Sequence, residues 1–86
     1  MHELSVALEI CRMAEERLPV DRRSALRRVG VLVGDDAGIE PANLEFCLEA
    51  LLSQPPFGQA IPDVQRVRGD ELALAYLQVD DGSPDD

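Results

Sequence analysis

Residues 27–35 read RRVGVLVGD, and this stretch decides the fold. Val29, Val31 and Val33 recur at a period of two and share one face, while Leu32 and the glycines mark the other. The pattern is a strand, ended by Gly34-Asp35-Asp36. Upstream, the period changes to that of a helix. From Ser5 to Leu18 the apolar positions are Val6, Ile10, Met13 or Ala14, and Leu18, with Glu9, Arg12, Glu15 and Glu16 mostly opposite. Ser5 reads as the N-cap and Pro19 as the stop. Downstream, Pro41 suits the first position of a second helix, because its missing N–H has no acceptor there anyway. Leu44, Cys47 or Leu48, Leu51 and Leu52 form its buried stripe, which Ser53 and Pro55-Pro56 end.

Two further strands are expected in the last third. One runs from Ile61 to Val67, with Pro62 marking an edge. The other runs from Leu72 to Val79, with Leu72, Leu74, Tyr76 and Gln78 alternating against Ala73, Ala75, Leu77 and Val79. Arg68-Gly69-Asp70 between them reads as a hairpin turn near residues 68–71; its RGD string is a turn, not an adhesion motif. The expected architecture is α+β, with two amphipathic helices on one face of a three- to four-stranded mixed or antiparallel sheet. The first residues are a candidate edge strand. Residues 1–79 form one domain, and residues 80–86 (DDGSPDD) an acidic tail expected to be disordered, its Asp80, Asp81, Asp85 and Asp86 serving solubility.

Composition narrows the function. Residues 1–34 hold six Arg and five acids, whereas residues 35–86 hold two Arg and twelve acids, and lysine is absent. A net charge of −9 repels phosphate backbones, so no nucleic-acid partner is expected. No apolar run is long enough to span a bilayer and no signal peptide is evident, which gives a cytoplasmic expectation with no membrane partner. Arg22, Arg23, Arg27 and Arg28 are the one basic cluster, read either as a solvated edge or as a docking patch for an acidic partner. Cys11 and Cys47 are single and helical, and are expected to be buried, reduced thiols. An enzyme is not expected, since no nucleophile–base pair can be built around a single histidine and no phosphate-binding glycine loop occurs. Asp35, Asp36 and Glu40 read as turn and helix-start residues, not as a second metal site.

That one histidine is His2, between Met1 and Glu3. The terminal amine and the His2 amide nitrogen close a five-membered chelate ring on a metal, and the same amide with imidazole Nδ1 closes a six-membered one. Three nitrogens therefore lie in one plane, an arrangement that Ni(II) and Cu(II) favour and Zn(II) does not. The amine and imidazole titrate near pH ~8 and ~6.5, so both are available around neutrality. The fourth position falls to Glu3, to water or to a partner. The plain alternative is an unremarkable chain end. The bulk of His2 protects Met1 from removal.

MHELS (1–5), followed by an amphipathic helix, resembles the start of the HypA/HybF family of nickel metallochaperones in [NiFe]-hydrogenase maturation. RRVGVLVGDDAGIEPANLEFCLEALL (27–52) is similar to that family's strand ending in Gly, short loop, "[VI]EP" and helix carrying "L.F". GQAIPDVQRV (58–67) and ELALAYLQVDD (71–81) are counterparts of its remaining strands. The resemblance implies Ni(II) as the metal, a site on Met1, His2 and Glu3, and a fold of two helices against a small mixed sheet. It also implies two partners, the hydrogenase large subunit and a maturation GTPase of the HypB type. Family members carry a zinc domain with two CxxC-type pairs between the last two strands. This chain has no such pairs, so no structural zinc is expected, and the module is expected to be replaced by the turn near 68–71. Two readings follow: a nickel carrier delivering its metal during hydrogenase maturation, or an interaction or regulatory module of a maturation complex without independent delivery.

Overall fold

A computed structural model describes residues 3–80. In chain order it contains helix α1 (Glu3–Arg17), a 3-10 turn (Val20–Ala25), strand β1 (Leu26–Gly34), helix α2 (Pro41–Leu52) and strands β2 (Ile61–Val67) and β3 (Leu72–Val79). The sheet has three strands in the order β2-β1-β3, with β1 parallel to β2 and antiparallel to β3. It is thus the mixed α+β architecture that the periodicities predict.

The helices cover one face. Val29, Val31 and Val33 of β1 lie beneath Val6, Ala7, Ile10, Cys11 and Ala14 of α1 and Leu44, Leu48 and Leu52 of α2, all in one buried cluster. A fully buried leucine or valine stabilises by about 1.5–3 kcal/mol, so aliphatic packing carries a fold that has only three aromatic residues. Among the described residues no polar side chain is buried.

Four details depart from the sequence expectations. Helix α1 begins at Glu3, so Ser5 lies inside the helix and not at its cap, and Glu3 itself is helical and not part of an edge strand; Met1 and His2 lie outside the described residues. Pro19 does end α1, but the chain re-coils at once into the 3-10 turn. Residues 68–71 do not close a hairpin, because β2 and β3 lie on opposite sides of β1. The segment instead crosses the end of β1, where the Gly34 amide donates to the Glu71 carbonyl (2.6 Å) and the Asp36 amide to that of Gly69 (2.7 Å). Finally, the alternation along β3 shifts phase. Gly30 pairs with Tyr76 but Val31 pairs with Leu74, so Ala75 is a bulge. Leu72, Leu74, Leu77 and Val79 consequently all pack on the core, while Tyr76 turns to the open face.

On that open face the Tyr76 ring lies over Gly30, and its hydroxyl donates to Asp63 Oδ2 at 2.6 Å. The phenol of one edge strand thereby spans the central strand to reach the other edge.

Candidate metal centre at the amino terminus

Glu3, the first described residue, is anchored to a helix distant in sequence. Its Oε2 accepts from the Glu40 amide at 2.9 Å, and its Oε1 accepts from Asn43 Nδ2 at 3.2 Å. Glu40 caps α2 in turn, its Oε1 accepting from the Ala42 amide at 3.0 Å with Pro41 in the first turn. Two carboxylates therefore meet the positive end of α2, where backbone N–H groups lack helical acceptors. The Glu40 hydrogen bond, followed by Glu3's own amide, holds the Glu3 carboxyl below its usual range. The start of α1 is tied by this contact to the start of α2.

The three residues expected to hold metal divide accordingly. Met1 and His2 lie outside the described residues. Glu3 is described, and both of its carboxylate oxygens already have partners on α2. Neither the bond from the Glu40 amide to Glu3 nor that from Asn43 is legible in the sequence, since these contacts bridge 37 and 40 residues, whereas Glu40's place at the start of α2 is as the sequence expects. Among the described residues no group of three His, Cys, Asp or Glu is arranged to hold a metal ion. Asp35 and Asp36 serve the turn after β1, their amides donating to the carbonyls of Val67 (2.9 Å) and Gly69 (2.7 Å). Cys11 is buried, which pushes its thiol up to about 11, and Cys47 is half-buried; both are free.

The arginine cluster disperses into separate contacts. Arg23 closes the end of α1, its Nη2 donating to the Glu15 carbonyl at 2.8 Å and its Nε to the Leu18 carbonyl at 3.2 Å. Arg22 Nη2 donates to the Asp80 carbonyl (3.2 Å), and Arg27 Nη2 pairs with Asp80 Oδ2 (2.8 Å). These contacts tie the end of β3 back to the entry of β1. Arg28 is exposed on the open face of the sheet, where its positive charge opposes the rise that Asp63 imposes on the Tyr76 hydroxyl.

Fold and terminus together define a small α+β module whose candidate chemistry lies ahead of its first helix. The family described as "Hydrogenase/urease nickel incorporation, metallochaperone, hypA" matches residues 1–73, and the chain belongs to that family. It is 40% identical over 50 residues to the hydrogenase maturation factor HypA of Chlorobium limicola, covering 58% of this chain and 43% of that protein. With the HypA of Pelodictyon phaeoclathratiforme it is 29% identical over 69 residues, covering 80% and 59% respectively. The chain thus spans about half the length of the curated relatives it matches. Its fold is similar to the solution structure of the Ni metallochaperone HypA from Helicobacter pylori, with a TM-score of 0.75 at 17% identity, over 92% of this chain and 97% of that one.

Proposed function

We propose that this protein binds Ni(II) as cargo through the Met1 amine, the His2 amide and imidazole nitrogens, and Glu3, and delivers it during [NiFe]-hydrogenase maturation in the cytoplasm. In this reading it is a carrier and not an enzyme. Family membership supports the metal and the pathway. One observation carries the site: the clasp of Glu3 on Glu40 and Asn43, which fixes the residue that follows the three candidate nitrogens. A chelate that ends on a fixed residue loses less freedom on binding than one on a loose chain end. With its carboxylate engaged, Glu3 contributes chiefly as an anchor, and its oxygens reach the metal only if they leave α2. The fourth position then stays accessible to water or to a recipient, as release requires.

The proposed partners are the hydrogenase large subunit and a maturation GTPase of the HypB type. No structural zinc enters this account. Residues 68–71 join β2 to β3 directly, which leaves no zinc module between those strands, and Cys11 and Cys47 are single helical thiols. Residues 1–79 then act as one nickel-type domain followed by acidic residues, of which Asp80, expected in the tail, is instead held against it by Arg22 and Arg27.

Nickel titration of the untagged protein tests the site. A d–d band of planar nitrogen ligation is expected, and it should vanish in His2→Ala. Asn43→Ala, which removes one hydrogen bond from Glu3, should weaken nickel binding by about three- to tenfold with the band unchanged. A second reading is favoured by the charge distribution: a module that docks in a maturation complex without carrying metal. Stoichiometric complex formation without nickel, with unimpaired maturation in His2→Ala, would select it.

A further inference from the structure

Phe46 is the most exposed of the three aromatic side chains, at 70% in the middle of α2, and Ile61 at the start of β2 is 58% exposed. The two stand on the rim of one groove, about 420 Å³ in volume, between α2 and the β2 edge. From α2 the groove takes Phe46, Glu49, Ala50 and Ser53, the i, i+3, i+4, i+7 ridge of one helix face, about 10 Å long. Ala50 and Ser53 are the small, exposed positions of that ridge, and the buried Ala60 and Pro62 line the strand side.

The charge around the groove defines its occupant. Helix α2 has no basic residue, and Glu45 and Glu49 flank Phe46 on it. Among the described residues, neither glutamate has an ion-pair or hydrogen-bond partner, whereas Glu9 and Glu16 of α1 are both neutralised by Arg12. Aliphatic anchors for the groove must therefore arrive beside positive charge. The backbone defines the shape of the occupant. β2 is an edge strand, but Pro62 has no N–H to offer, so strand addition beside the groove loses a ladder bond. A helix lying along the α2 ridge needs no such bond. A second copy of this chain is disfavoured, since a two-fold contact here would set Glu45 and Glu49 against themselves in a molecule of net charge −9.

We propose that the α2–β2 groove docks a basic amphipathic helix of a partner protein, anchored by aliphatic side chains beside Phe46 and by Lys or Arg opposite Glu45 and Glu49. The groove is lined by none of the proposed metal ligands, although it begins one turn beyond Asn43 on α2, and its test uses no nickel, so either reading can fail alone.

The test measures fluorescence anisotropy of a labelled Leu/Lys model helix about four turns long, with a Leu/Glu helix of the same pattern as counter-probe. The Leu/Lys helix should bind and the Leu/Glu helix should not. Phe46→Ser should weaken binding by about tenfold or more, and Glu45→Gln or Glu49→Gln by about two- to fivefold each. Asp35→Asn/Asp36→Asn, remote from the groove, should bind as wild type. Phe46 is exposed, so Phe46→Ser should keep its urea midpoint; should it unfold, Ala50→Arg, which fills and charges the groove, must show the same loss. The proposal is overturned if the wild type does not bind the Leu/Lys helix, if Phe46→Ser and Ala50→Arg bind it unchanged, or if the Asp35/Asp36 variant loses as much as the glutamate variants. Sedimentation showing a wild-type dimer that Phe46→Ser dissolves would also overturn it, making the occupant a second copy.

Discussion

Gly30 and Gly34 sit four residues apart on β1 and answer differently to an added methyl group. At Gly34 a Cβ would collide with the Gly69 carbonyl and come within 2.7 Å of the Glu71 amide nitrogen, both of them backbone in the crossing segment. At Gly30 the nearest atoms it would meet are those of the Tyr76 ring, a side chain able to swing away. Gly34→Ala is therefore expected to cost about 2–4 kcal/mol, and Gly30→Ala about 1 kcal/mol, chiefly for the lost Tyr76–Asp63 hydrogen bond. Urea denaturation of the two variants measures the difference, and equal costs would refute this packing of the crossing segment. Cys11 makes a second prediction. Burial lifts its thiol from 9.0 to about 11, so the stability contributed by the neutral thiol is complete below pH ~9 and drains as pH rises toward 11. In Cys47→Ser, a thiol reagent at pH ~8 should leave the native protein unmodified and label it only in denaturant; labelling of the native variant at the rate of a free thiol would contradict the burial. Of all this the sequence showed cysteine's preference for the interior, and the two glycines as strand punctuation. The reasons for those glycines, a ring from β3 and a backbone crossing, came from residues more than thirty positions away.

At the scale of elements, the helices and β1 were legible because each repeats its own period over enough residues to be distinctive. What the period could not convey was the 3-10 turn after Pro19 and the slip at Ala75. A bulge inverts every later position of a strand, so Leu77 and Val79, which simple alternation sets opposite Leu72 and Leu74, join them on the core. Arg23 illustrates a role that composition conceals. Counted as charge, it is one of four arginines in a patch; in the fold it donates to the Glu15 carbonyl in the last turn of α1 and to the Leu18 carbonyl just beyond it. Arg23→Met is expected to lower stability by about 1–2 kcal/mol, while Arg22→Met, with one exposed bond to the Asp80 carbonyl, costs less than about 0.5 kcal/mol. Thermal melts of the two variants test this. A similar loss from both would mean that the cluster acts by charge alone and not by capping.

At the scale of the whole molecule, the hairpin expectation failed for a physical reason. Two adjacent strands with a short, Gly-containing link satisfy every local rule for a hairpin, yet β1 offers both its edges to them and separates them. The result is a mixed sheet whose two outer strands are edges, with both helices on one face. This arrangement brings the start of α1 to the start of α2, and with it Glu3 to Glu40 and Asn43. As chemistry, MHELS offers a planar nitrogen chelate for Ni(II) or Cu(II), and nickel itself follows from the family resemblance; the anchorage of Glu3 was not legible, because it depends on how two helices pack. The central claim is that the terminal nitrogens, presented ahead of this clasp, bind nickel. The most direct measurement is a Ni(II) titration followed by the d–d absorption of the untagged protein, beside His2→Ala and a chain carrying extra residues before Met1. The account predicts a planar nitrogen-ligated band saturating near one equivalent in the first, and its absence in both others. Nickel bound as tightly by either altered protein would contradict it.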